Sequence, residues 1–278
     1  MWPNHRSPAS DDRSVTLRHE YAWNTGQSRS LIVRAATGAD LALTLDLTAG
    51  SPSVDRVTAL MTLCVSDSRR APINEIEVDT LVLGDRNLIL AELARITFGN
   101  EVELQQRCSN PECGAQLEWP THMSDFLQEA DSAPRRDDEM MMGSQQVRVR
   151  PATVADERTV RSSADPVRTL VELCVDPSDV VSLDDADVMK QIEAVLEELD
   201  PLASIEFTFT CYACGQPLRS TLDLPGLLLD LIRADDTRRS YDHHLLASGY
   251  GWSSADLLTL RPADRIRFAA TLVDLWEG

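Results

Sequence analysis

The sequence predicts an α+β protein made of two tandem copies of a strand-helix-helix-hairpin unit. A zinc-ribbon-like pair of cysteine knuckles joins the copies, and a C-terminal helical tail follows. Three ordered landmarks predict it. VRAATGAD at Val33 to Asp40 returns as VRPATVAD at Val149 to Asp156. Leu63-Cys64-Val65 returns as Leu173-Cys174-Val175. Cys108 and Cys113 are answered by Cys211 and Cys214. Self-similarity in one fixed order is the mark of a repeated unit. The predicted divisions are an N-terminal arm over 1–28, copy one over 29–127, a linker over 128–146, copy two over 147–231 and a tail over 232–278.

Each copy opens on a short strand, Leu31 to Ala35 and Val147 to Arg150, rich in Val and Arg. A helix carrying the Leu-Cys-Val sequence follows, then a second helix. In copy two that second helix runs near Asp184 to Leu199, with Val188, Ile192, Val195, Leu196 and Leu199 on one stripe. In copy one it runs near Arg86 to Phe98. Gly99-Asn100 stops the first of these helices and Asp200-Pro201 the second. Strands come next, Glu101 to Arg107 and Ser204 to Thr210. Ile205, Phe207 and Phe209 alternate with polar residues there, the pattern of a half-buried strand. Residues 128–146 lack periodicity and read as a linker, and residues 1–28 are polar and turn-rich. In the tail, Pro225 opens a helix that Gly249-Tyr250-Gly251 stops, Ser253 or Ser254 caps a short one, and Pro262 opens the last.

The chemistry lies in the cysteines. Cys211-Tyr-Ala-Cys214-Gly215 and Cys108-Ser-Asn-Pro-Glu-Cys113-Gly114 each sit at a strand turn with a glycine behind the second thiol. Such a turn presents two thiolates together, and two turns complete a tetrahedral four-thiolate site for zinc. That site is closed, so it is structural. Three other readings stay open here: a CxxC redox couple, separate sites for the two pairs, and paired cysteines that hold no metal. Redox use favours a thiol at a helix N-terminus, and no helix starts at Cys211. Cys64 and Cys174 sit in apolar helical patterns and read as buried thiols. No P-loop, GxSxG or HExxH is present, so no enzyme activity is expected. His243 and His244 are adjacent on a helix and read as solvated or interfacial. His5, His19 and His122 are isolated. The acidic run from Asp176 to Glu206 reads as a solvated face.

With 26 Lys and Arg against 45 Asp and Glu, the 278-residue chain carries a net charge of -19. A duplex binder needs a basic face, and an anionic membrane repels this balance, so neither is an expected partner. No small-molecule substrate is expected either; basic or mixed-charge proteins are. No segment is apolar enough to cross a membrane and no signal core opens the chain, so a cytoplasmic protein with reduced cysteines is expected.

The order strand, Arg150-Pro-Ala-Thr-Val-Ala-Asp156, Leu173-Cys174, a helix ending near Leu199-Asp-Pro-Leu-Ala203, then Phe209-Thr-Cys-Tyr-Ala-Cys-Gly215 resembles a known family. With Tyr250-Gly-Trp-Ser253 and Asp256-Leu-Leu-Thr-Leu260 in the tail, the chain is similar over about residues 31–278 to the T-even-type bacteriophage base-plate protein family. The first knuckle departs from the family's usual Cys-Pro-x-Cys, and Asp242-His-His-Leu-Leu-Ala247 only approximates its tail motif. The resemblance implies a non-enzymatic assembly factor or component of the baseplate or hub of a phage tail or contractile injection system. Its partners would be baseplate or hub proteins, and it could be carried into the released particle. The alternatives are a zinc-ribbon adaptor of another cytoplasmic complex and, behind it, a CxxC thiol oxidoreductase.

Overall fold

A computed structural model of the chain describes residues 12–47, 49–132, 139–142, 145–176 and 183–277. It mixes helices with short antiparallel sheets. In the first half, β1 (Arg13–Trp23) pairs with β2 (Gly26–Val33), and β2 pairs with β3 (Val65–Asp67). The expected N-terminal arm is therefore corrected: residues 13–28 form a strand, a turn at 24–25 and the start of a second strand, and residues 1–11 lie outside the described residues. The reason is visible in the side chains. Val15, Leu17, Tyr21 and Trp23 fall on alternate positions and are all buried. Helices α1 (Gly38–Leu47) and α2 (Ser53–Cys64) lie between β2 and β3, and α3 (Glu75–Asp79) and α4 (Leu83–Phe98) follow β3. A hairpin of β4 (Glu101–Arg107) and β5 (Gln116–His122) leads into α5 (Met123–Ser132).

Among the described residues, the second half has one helix fewer before its cysteine hairpin, and its leading sheet has two strands where the first half has three. β6 (Glu139–Met142) pairs with β7 (Gln145–Arg148), so the expected linker over 128–146 gives way at both ends, to α5 and to a strand. Helices α6 (Val154–Arg161), α7 (Pro166–Cys174) and α8 (Ala186–Leu199) come next, then a hairpin of β8 (Ile205–Thr210) and β9 (Pro217–Leu222). The last helices are α9 (Leu224–Tyr250), α10 (Ser254–Leu258) and α11 (Pro262–Glu277). The tail does not begin at residue 232, because α9 crosses that boundary unbroken. Its first turns bury Leu224, Leu228, Leu229 and Ile232 in the main core.

The Val-Arg-x-Ala-Thr-x-Ala-Asp segments make the same polar lock in each half. The Arg34 guanidinium grips Asp40 at 2.7 and 2.9 Å and donates to the carbonyls of Ala35 and Leu63. Arg150 grips Asp156 at 2.6 and 2.9 Å and donates to the carbonyls of Pro151 and Leu173. Thr37 and Thr153 each donate N–H and hydroxyl to that carboxylate at 2.8 Å. Arg34 N–H meets Cys64 C=O, and Arg150 N–H meets Cys174 C=O, both at 2.9 Å. Burial alone would raise both carboxyls. The hydrogen bonds from arginine and threonine outweigh it and hold Asp40 and Asp156 below the usual carboxylate range.

The cores differ. In the first half, α4 is buried nearly all round and sits among β1, α5 and α9 in the main cluster. In the second half, α8 buries only Ile192 and Leu199, within a small cluster with Val149, Val171 and Cys174. The halves meet through a short antiparallel bridge. Leu83 N–H bonds Ala152 C=O at 3.0 Å, and Val154 N–H bonds Leu81 C=O at 2.9 Å. Asp200, just past α8, accepts the Gly84 N–H at 2.7 Å and so caps α4. A Cβ at Gly84 would stand 2.0 Å from that carboxylate, which explains a glycine inside this helix.

Two buried carboxylate networks tie in β1 and α11. Asp85 in the first turn of α4 accepts the Arg18 N–H at 2.6 Å, the His19 N–H at 3.0 Å, the Tyr21 hydroxyl at 2.7 Å and the His19 ring at 2.9 Å. His19, expected to be isolated, instead anchors β1 to α4. In the tail, the fully buried Arg265 binds Asp235 and, at 3.0 Å, Asp242, and so pins α11 to α9. His243, expected as solvated or interfacial, is half-buried beside them. Burial, with Arg265 and Arg239 nearby, lowers its pKa.

Candidate metal centre

The sequence around each cysteine pair dictates a knuckle. Gly114 and Gly215 adopt φ of 56° and 73°, a left-handed turn that a side chain would strain. That turn aims backbone N–H groups at sulfur: Asn110 toward Cys108, Ala115 toward Cys113, and Ala213 and Cys214 toward Cys211. The strand ladders close beneath, through Cys108 N–H to Ala115 C=O and Cys211 N–H to Gln216 C=O, both at 2.9 Å.

The two knuckles face one another. All four sulfurs of Cys108, Cys113, Cys211 and Cys214 lie within 4.8 Å of each other. The pairing is crosswise: Cys108 Sγ is 3.8 Å from Cys214 Sγ, and Cys113 Sγ is 3.9 Å from Cys211 Sγ. A tetrahedron with metal–sulfur bonds of about 2.3 Å has edges of about 3.8 Å. The donor set therefore fits a four-coordinate metal that prefers sulfur. Cys108 and Cys211 are buried and Cys214 is exposed.

The thiols of the cluster titrate unequally: Cys108 and Cys113 are raised and Cys211 is lowered. Burial pushes the Cys211 thiol up, but the N–H groups of Cys214 and Ala213 outweigh it and bring it to about 7. The Asn110 N–H favours the Cys108 thiolate, yet burial and the Cys211 and Cys214 sulfurs push that thiol up to about 12. Thiolates this close repel one another, and a divalent cation at their centre removes the repulsion.

Side chains that sequence reasoning did not single out clamp the hairpins. The Tyr212 hydroxyl donates to Gln116 C=O at 2.8 Å. The Trp119 ring lies 4.4 Å from Phe209 and 5.4 Å from Phe207. The alternation of Phe207 and Phe209 marks a buried face, but nothing local names Trp119 as its partner.

Cys64 and Cys174 stand apart from the cluster, as expected. Burial pushes their thiols up to about 12 and about 11, so both are inert protonated thiols. No histidine joins a metal-competent group among the described residues. No helix among them is long and apolar enough to cross a membrane. No family model matches the chain, and no curated protein or solved structure shows significant similarity to it.

Proposed function

We propose that the protein is a non-enzymatic scaffold stapled by one structural zinc ion, and that it assembles the baseplate or hub of a contractile tail. The observation that carries the scaffold reading is the crosswise cluster of Cys108, Cys113, Cys211 and Cys214, two sulfurs from each half of the chain. Zinc suits it because four thiolates in a tetrahedron match its preferred ligands and leave no open position for water or substrate. Cys108 and Cys113 are held by β4 and β5, and Cys211 and Cys214 by β8 and β9, so the ion fixes the angle between the hairpins. The matching locks at Arg34 and Arg150 support a further part of this reading, that the halves are duplicated copies of one unit.

The baseplate assignment rests on the motifs from Arg150 to Gly215 and from Tyr250 to Leu260, and on a net charge of -19 that suits basic protein partners. Elemental analysis with native mass spectrometry tests the staple, and one zinc per chain is expected. No metal, with a disulfide between Cys211 and Cys214, would put thiol redox chemistry in its place. Deleting the gene in a host that makes sheathed particles tests the assignment. Normal contractile particles would overturn it.

A further inference from the structure

Between the hairpins and α9 runs a groove of about 610 Å³. Four consecutive residues of β4, Glu103 to Gln106, line it, and so do Ser220 to Asp223 at the end of β9. Strand side chains alternate between faces, so consecutive residues share one groove only where the strand presents its edge. The ladder parity agrees. Cys108 and Ala115 are a hydrogen-bonded pair, as are Asn100 and Met123, so the even-numbered residues of β4 face β5. The N–H and C=O of Glu103 and Gln105 therefore point away from β5, and they make no backbone hydrogen bond among the described residues. By the same parity, Thr221 presents its N–H and C=O from β9. The far edge of β5 is interrupted by Pro120, whereas β4 has no proline, lysine or bulge to guard it.

We propose that this groove is a β-augmentation site, in which an extended segment of a partner protein adds as a strand along β4. The chemistry of the groove defines that segment. Leu104, Trp119, Leu227 and Leu231 supply an apolar wall. The polar groups around it are mostly acceptors. Glu103 is exposed, Asp230 pairs with Arg233, Asp223 caps α9 through Gly226 N–H, and the Gln106 amide oxygen is buried with no partner. A strand that alternates apolar residues with lysine or arginine meets both sets, its apolar side chains beside Leu104 and its cations beside Glu103. A second copy of this chain is a poor occupant, since it carries the same acidic excess. The inference rests on the scaffold reading for the fixed position of the hairpins.

The test uses the full-length, metal-loaded chain and an eight-residue peptide that alternates valine and lysine. Binding should slow hydrogen exchange at the Glu103 and Gln105 amides, and should weaken as salt rises. Gln105→Pro removes one outward N–H without touching the β5 ladder and should weaken binding about tenfold or more. Glu103→Lys should do the same and should restore binding of a peptide that alternates valine and glutamate. Unprotected amides, no binding at millimolar peptide, or equal binding of a peptide of the same composition in helical order would overturn the proposal. Metal content measured on the same sample separates a failed groove from a failed staple.

Discussion

The two halves of this molecule share a polar lock and differ in what the lock serves. Arg34 with Asp40 and Arg150 with Asp156 repeat the same contacts nearly atom for atom. In the first half, the lock closes on a core that runs from β1 through α4 to α9. In the second, it closes on a satellite of eight buried residues among those described. The same local chemistry can thus hold a load-carrying core or a peripheral one. Short sequence motifs fix geometry, and the surrounding burial fixes how much that geometry matters for stability.

The largest expected effect treats the halves as one body. Cys113→Ala and Cys214→Ala, one from each half, should both abolish metal binding and cost up to about 10 kcal/mol of folding stability. Thermal unfolding with and without a strong chelator measures it. A variant that keeps its metal and its melting temperature would break the symmetry between the hairpins. Next come the cores, which should behave differently. Leu93→Ala and Ile192→Ala each empty a fully buried site, and each should cost about 2–5 kcal/mol. Hydrogen exchange should rise across β1, α4 and α9 in the first variant, but only across α7 and α8 in the second. Global opening in both would mean that the second half has no separate unfolding unit.

The locks themselves should respond alike. Arg34→Ala and Arg150→Ala each leave a mostly buried carboxylate without its charged partner. Because both arginines are partly exposed to solvent, each should cost about 1–2 kcal/mol. Denaturant titration would show whether one lock matters more. The smallest effect is the acid response. Asp40 and Asp156 titrate below their unfolded value of about 3.9, so their stabilisation is complete above that pH. It is lost as pH falls through the lowered folded values. Asp40→Asn and Asp156→Asn should each flatten the stability curve below about pH 4. A flattening in only one variant would separate the two locks.

Most of the four-cysteine cluster was legible in the sequence, because knuckle chemistry is local. Spacing, a following glycine and flanking strand patterns lie within a few residues, and they named all four cysteines. The helices around Leu93 and Ile192 were legible through their apolar content and their stops. The leading strand of each half was not. Val15 to Trp23 alternates at five positions, but His19 stands in the buried series and Arg18 is buried out of phase. Residues 139–142 are too short to show a period at all. The sequence by itself determined the landmarks, the knuckles and the acidic balance, since each depends on residue type and short spacing. Only the tertiary structure decided that the sulfurs meet crosswise, that Asp200 caps α4, that α9 belongs to the main core and that β4 keeps an open edge. The first two of these join residues roughly a hundred positions apart, where close packing and the desolvation of buried carboxylates choose the partner.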